Sequence, residues 1–160
     1  MKRVLLACVF TIVTSGLLRA QDSIEDVSYS KVSWEQKLSK ANSLSKSKNI
    51  PILIFFTGSD WCGPCKMLVA DVFESERFKE LSDSEFVLYE ADFPRNKNLV
   101  SNSQRSDNLK LKNKYNVNSY PTIVIVDSKG KELGKLKGYN LMRDTSYHYS
   151  FFENTLNKVK

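Results

Sequence analysis

Apolar residues in this chain follow two patterns: short continuous runs, and single positions recurring every three or four residues. Continuous runs of five to seven residues bounded by turn formers read as buried strands. Residues 50–56 form such a run, which fits a central strand covered on both faces. Thr57-Gly58-Ser59-Asp60 breaks it. Residues 86–91 and 122–126 predict a second and a third strand. Asp127-Ser128-Lys129-Gly130 reads as a hairpin turn, with a return strand over 132–137 that ends at Gly138.

The spaced pattern predicts helices. Ser33 and Gln36 have the spacing of a capping box, and Trp34, Leu38 and Ala41 follow at helical intervals, which predicts a helix over 33–46. A polar turn over 45–49 follows it. A helical stretch runs from the cysteine pair at 62 and 65 to about Phe73, and Ser75 opens a shorter helix carrying Phe78 and Leu81. Residues 108–115 predict another helix. A last one starts near Asp144 or Thr145 and places Tyr149, Phe152 and Leu156 on one side. Residues 93–107 are polar and read as a long loop, and residues 21–31 are polar with a short strand near 27–29.

The order β-α-β and then α-β-β-α implies a parallel crossover followed by a hairpin. The fold class is therefore α/β, a mixed sheet with helices on both faces. The chain has 160 residues, 41% hydrophobic and 26% charged, which suits one domain with a full core.

The first twenty residues stand apart. Lys2 and Arg3 precede an uncharged, mostly apolar run over 4–18, and Leu18-Arg19-Ala20 ends it with a small residue. This is the pattern of a secretory signal peptide, residues 1–20, leaving a mature domain over 21–160. A membrane span wants about 20 apolar residues, more than this run supplies. Cys8 lies inside the run rather than at its end, which argues against a lipid anchor. Loss of Lys2, Arg3 and Arg19 lowers the formal charge from +6 to +3. Neither that charge nor any basic run with interleaved aromatics points to nucleic acid. The expected location is periplasmic or secreted, without stable membrane insertion after cleavage.

Loss of Cys8 leaves Cys62 and Cys65 as the only mature cysteines. A bridge closing so small a loop restrains the unfolded chain little, so stability explains the pair poorly. Their setting explains it better. Disulfide exchange needs a thiolate, and a free cysteine has a pKa of about 8.5. At a helix N-terminus unpaired N–H groups and the helix dipole favour the thiolate. Cys62 comes first and is expected to be the exposed attacker. Cys65, one turn later and more buried, is expected to resolve the mixed disulfide. Pro64 suits the first helical turn. Zinc would need four ligands, and the single histidine, His148, is far along the chain, so no metal or cofactor is expected.

The pentad Trp61-Cys62-Gly63-Pro64-Cys65 between a strand and a helix resembles the active-site motif of the thioredoxin family. A second match lies at Tyr115-Asn116-Val117-Asn118-Ser119-Tyr120-Pro121-Thr122, followed by a strand, a turn and Gly138. The resemblance spans about residues 33–158. It implies a thioredoxin-like fold and a thiol–disulfide oxidoreductase acting on protein disulfides, with Cys62 and Cys65 catalytic. It also implies that the Tyr120–Pro121 peptide is cis, and that Trp61, Gly63, Pro64, Tyr120 and Pro121 contact substrate. Gly63-Pro64 resembles the reducing branch. In an oxidising compartment that direction requires a redox partner to reset the pair, for instance a membrane electron donor. Oxidase or isomerase activity stays open, as does a binding module with little redox turnover. Thr57-Gly58-Ser59-Asp60 and Asp92-Phe93-Pro94-Arg95 resemble an exported bacterial branch.

Two features depart from the family pattern. Many members carry a buried acid on the strand before the motif, where this chain has Phe55 and Phe56. Asp60 and Lys66 are expected to be too exposed to replace it. Cys62 and Pro121 are also 59 positions apart, more than in small members, and residues 93–107 can hold the excess. His148 reads as a partly exposed helix histidine, the aromatic cluster over 147–152 as packing, and Lys110, Lys112 and Lys114 as solvated positions.

Overall fold

The strand Ile52–Thr57 (β1) is buried at every residue in the computed structural model, which describes residues 32–159. Its continuous apolar sequence requires cover on both faces, and the sheet supplies two separate cores. Leu53 and Phe55 face a core shared with Cys65, Leu68, Phe73, Phe78 and Phe152. Ile52, Ile54 and Phe56 face the other, with Ala41, Leu111 and Tyr115.

The elements follow in the order α1 (Leu38–Lys48), β1, α2 (Gly63–Leu68), α3 (Glu76–Glu85), β2 (Val87–Asp92), α4 (Asn102–Lys114), β3 (Thr122–Val126), β4 (Glu132–Lys137) and α5 (Ser146–Leu156). A π-helical turn, Val69–Phe73, carries α2 onward, and a 3-10 turn spans Lys97–Leu99. The four strands lie in the order β2-β1-β3-β4. β1 runs parallel to β2 and antiparallel to β3, and β3 pairs antiparallel with β4. This is the mixed α/β sheet that the element order implied, with α2, α3 and α5 on one face and α1 and α4 on the other.

Two helix boundaries differ from expectation. The capping box at Ser33 and Gln36 does not form. Glu35 instead bridges to Tyr89 beside β2, its N–H donating to the Leu88 carbonyl at 2.9 Å, and the helix begins only at Leu38. A long-range backbone pairing outcompetes the local cap. The expected loop over 93–107 is largely ordered: the Ser101 hydroxyl accepts the Gln104 N–H at 3.1 Å and starts α4 six residues early. The hairpin turn is held by Asp127, whose carboxylate accepts the Lys129 and Lys131 N–H groups at 2.9 and 2.8 Å. The expected signal peptide at 1–20 and the strand at 27–29 lie outside the described residues.

Candidate active site

β1 delivers the chain into a tight turn at Gly58, whose carbonyl accepts the N–H groups of Trp61 and Cys62 at 3.1 and 2.8 Å. A Cβ at residue 58 would collide with the Trp61 indole, so only glycine allows that packing. Cys62 then caps the helix: its backbone is extended, and its Sγ accepts the Cys65 N–H at 3.3 Å. Pro64 occupies the first turn, where a missing N–H leaves no bond unmade.

Cys62 and Cys65 are joined as a disulfide with Cα atoms 5.2 Å apart. Both are buried, at 4% and 1% exposure. The expectation of an exposed Cys62 therefore fails for the oxidised pair, because the bridge and the Cys65 N–H turn Sγ inward. The order of burial is as anticipated. A sulfur that accepts a helix N–H is poised to carry negative charge once the bridge is reduced.

The downstream segment meets this turn. The Tyr120–Pro121 peptide is cis, and the Gly138 N–H donates to the Pro121 carbonyl at 2.8 Å. The Tyr120 ring stands edge-on to Trp61 with centroids 5.8 Å apart. Trp61 is partly exposed, and its Nε1–H donates to the Phe93 carbonyl at 2.9 Å. Phe93 packs on Tyr120 at 5.5 Å, and the Lys112 ammonium lies 5.3 and 5.4 Å from the Phe93 and Tyr120 ring centroids. Lys112 is thus a cation over an aromatic wall rather than a merely solvated position. Gly63 is exposed beside Cys62, Pro64 is half-buried, and Pro121 is buried.

Residues 92–96 position this wall. The buried Asp92 carboxylate accepts the Ser59 N–H at 2.8 Å and its hydroxyl at 2.6 Å. Asn108 donates to the Asp92 carbonyl at 2.9 Å and accepts the Tyr89 hydroxyl at 2.7 Å. Burial pushes the Tyr89 phenol well above its ordinary range. The Asp60 carboxylate accepts the Asn96 and Arg95 N–H groups at 2.8 and 3.0 Å, and these bonds, Asn96 first, hold its pKa below the usual value. Asp60 is exposed, as expected, and its work is to fasten this loop; Lys66 donates to its carbonyl at 3.2 Å. Ser59, Asp92 and Phe93 have no role in the sequence reading, although Asp92-Phe93-Pro94-Arg95 stood out there as a motif.

His148 departs from expectation more sharply. It is 4% exposed, with its ring edge-on to Tyr139 at 5.3 Å. Its ring nitrogens make no hydrogen bond of normal geometry, although the Gly138 backbone approaches closely enough to favour the protonated ring a little. Burial is the larger effect and lowers its pKa. Nearby, Asp71 on the π-turn accepts the Tyr139 hydroxyl at 2.6 Å and pairs with the Arg143 guanidinium.

A helix-capping cysteine bonded to a second one turn on can carry thiol–disulfide exchange, and here a cis-proline segment and an aromatic wall stand beside the pair. Several known proteins are similar to this chain. A disulfide bond reductase, DsbH, of Chlamydia pneumoniae is 37% identical over 103 residues, 64% of this chain and 61% of that protein. The thioredoxin-related protein DsbJ of the same organism is 28% identical over 129 residues, 81% of this chain and 37% of that protein. The chain thus spans less than two thirds of the length of either relative. A solved structure described as a DsbH oxidoreductase superposes with a TM-score of 0.68 at 31% identity, covering 79% of this chain and 85% of that one. The sequence model of the thioredoxin-like domain family matches residues 38–145. On these grounds, with the sheet order and the capped cysteine pair, the chain belongs to the thioredoxin-like domain family.

Proposed function

We propose that this protein is a thiol–disulfide oxidoreductase that reduces protein disulfides outside the cytoplasm. The observation that carries this reading is the Cys62 sulfur at the start of the helix, taking the Cys65 N–H. In the reduced protein, the Cys62 thiolate attacks one sulfur of a substrate disulfide and forms a mixed disulfide, releasing the other as a thiolate. Cys65 then attacks Cys62 Sγ, the substrate sulfur leaves, and the Cys62–Cys65 bridge forms. Two electrons pass to the substrate. Trp61, Gly63, Pro64, Tyr120 and Pro121 form the surface against which the substrate chain lies, with the backbone of Tyr120 pairing as an added strand would.

Gly63-Pro64 between the cysteines favours the reducing direction, and the relative whose name is disulfide bond reductase supports it. The pattern of residues 1–20 supports export. A redox partner must return electrons to the bridge; a membrane donor suits a protein working in an oxidising compartment.

An insulin reduction assay tests the activity: turnover by the wild type and none by Cys62→Ser is expected, and equal rates for the two would end the enzyme reading. Cys65→Ala should accumulate mixed disulfides on Cys62 and identify the substrates. A reduction potential below that of the compartment's glutathione is expected; a value at or above it would assign the oxidase or isomerase direction instead.

A further inference from the structure

Two cations stand on the aromatic wall beside Cys62. The Arg95 guanidinium carbon lies 5.4 Å from the Trp61 ring centroid. The Lys112 ammonium lies 5.3 Å from that of Phe93 and 5.4 Å from that of Tyr120. They reach the wall from different elements, Arg95 from the loop after β2 and Lys112 from α4. Both are positioned by the fold. The Arg95 N–H donates to Asp60, in the same loop whose Phe93 carbonyl takes the Trp61 indole N–H. Lys112 is half-buried against its two rings. The rings are uncharged, so each cation keeps its charge for a partner.

The carboxylates that border the wall serve the protein itself. Asp92 is buried and gives both oxygens to Ser59. Asp60 accepts the N–H groups of residues 95 and 96, and it lies near enough to the Arg95 side chain to offset part of its charge. The ion pairs formed among the described residues include neither Arg95 nor Lys112. Two lysines add positive charge nearby. Lys66 on α2 donates to the Asp60 carbonyl, and Lys137 at the end of β4 donates to Asn118, three residues before Pro121. The face that surrounds Cys62 is therefore cationic, with its two closest cations seated on the rings.

We propose that Arg95 and Lys112 select substrates by charge: the site takes protein disulfides whose cysteine is flanked by aspartate or glutamate. The proposal rests on the reading that Cys62 attacks a chain lying against Trp61 and Tyr120, and it adds which side chains that chain carries. The ring centroids of Trp61, Tyr120 and Phe93 follow one another at 5.8 and 5.5 Å. That path is matched by about three residues of extended chain. Carboxylates within about three positions of the substrate cysteine thus come within reach of Arg95 or Lys112. The Arg95 guanidinium can hold both oxygens of one carboxylate, and Lys112 meets another as a point charge. A lysine or arginine in the same place is repelled.

The test is single-turnover reduction of self-quenched, dye-labelled peptide dimers joined by one disulfide. The dimers carry glutamate, glutamine or lysine on both sides of the cysteine and are otherwise identical. Each is mixed with an excess of the reduced protein, and the rate is divided by that with dithiothreitol, which removes the intrinsic reactivity of each disulfide. The wild type should reduce the glutamate dimer about tenfold faster than the glutamine dimer in dilute buffer, and the lysine dimer more slowly than either. The spread should close at about 0.5 M salt. Arg95→Gln and Lys112→Gln should each lower the glutamate-to-glutamine ratio by about threefold, and the double variant should bring it near one. Lys129→Gln removes the same charge from the hairpin turn at the far end of β3 and should keep the wild-type ratio. Equal wild-type rates for the glutamate and glutamine dimers, a preference that survives in the double variant, or its loss in Lys129→Gln overturns the proposal. A wild type that reduces none of the three dimers would instead reject the exchange reading, and charge selection with it.

Discussion

The Asp92 carboxylate grips Ser59 by two hydrogen bonds, at 2.8 Å from the backbone N–H and 2.6 Å from the hydroxyl, three residues before Cys62. The carboxylate is buried, so these charge-assisted bonds are made away from competing water. Asp92→Ala leaves two donors without their acceptor. A loss of about 3 kcal/mol is expected, read by urea denaturation of the oxidised protein. An unchanged midpoint would mean that the turn is held by other contacts.

Gly58 bears directly on Trp61. A methyl group there meets the indole, so Gly58→Ala should displace the ring from its place beside Tyr120 and lengthen or break its bond to the Phe93 carbonyl. Overpacking of this kind costs about 1–3 kcal/mol. The expected signature is a red-shifted tryptophan emission in Gly58→Ala that is absent when Trp61 is also changed to Phe. Emission identical to the wild type would show that the turn absorbs the methyl group without moving Trp61.

Asp71 gives the fold a pH-dependent link. Hydrogen bonds from Arg143, and then from Tyr139, lower its pKa from 3.8 to about 2. A depressed carboxylate contributes stability that is fully present above about pH 4 and lost as pH falls toward 2. Asp71→Asn should therefore flatten the acid limb of stability between pH 4 and 2, measured by denaturant unfolding at stepped pH. A limb as steep as the wild type's would assign the acid sensitivity to other groups.

His148 acts at a higher pH. Burial lowers its pKa below the ordinary 6.5, so the unfolded chain binds a proton before the folded one does. Its contribution is present above about pH 6.5 and is lost as pH falls below that value. The ring borders a cavity of about 380 Å³ beside Tyr139 and Asp144, which leaves room for a larger ring. His148→Phe should remove two poorly satisfied nitrogens, gain about 1 kcal/mol at pH 7 and flatten the stability profile between pH 7 and 5. Unfolding midpoints at those two pH values decide it; a larger pH dependence in the variant would refute the assignment.

Central strands were legible because burial on both faces writes itself as continuous apolar sequence, and β1 lies within two residues of expectation. β4 is neither continuously apolar nor buried, and was predicted at its observed bounds from the hairpin turn before it. Helix starts were legible only where the cap is local. Ser75 caps α3 as its position suggested, with its hydroxyl accepting the Phe78 N–H. Ser33 and Gln36 carry the same kind of signal but lose to a bridge with Tyr89, a partner that sequence spacing does not reveal. Ser101 and Gln104 have that spacing too, and there the cap forms. It escaped notice because α4 shows little apolar periodicity: Asn108 and Leu111 are its buried residues, while Leu109 faces solvent. The cysteine pair was legible as chemistry. The acid beside it was not, since Asp92 comes to the site by strand pairing alone.

The two rims of the sheet have different protections against unwanted strand addition. Along β2, residue 35 already occupies part of the hydrogen-bonding edge through its bridge to Tyr89. Along β4, Lys135 and Lys137 flank the rim, and the pairing with β3 shifts register near Val126, which spoils a regular template. Charged residues and irregular pairing are the usual defences of exposed strand edges. Among the described residues, each rim of the sheet thus discourages an unpaired strand of another chain from extending it.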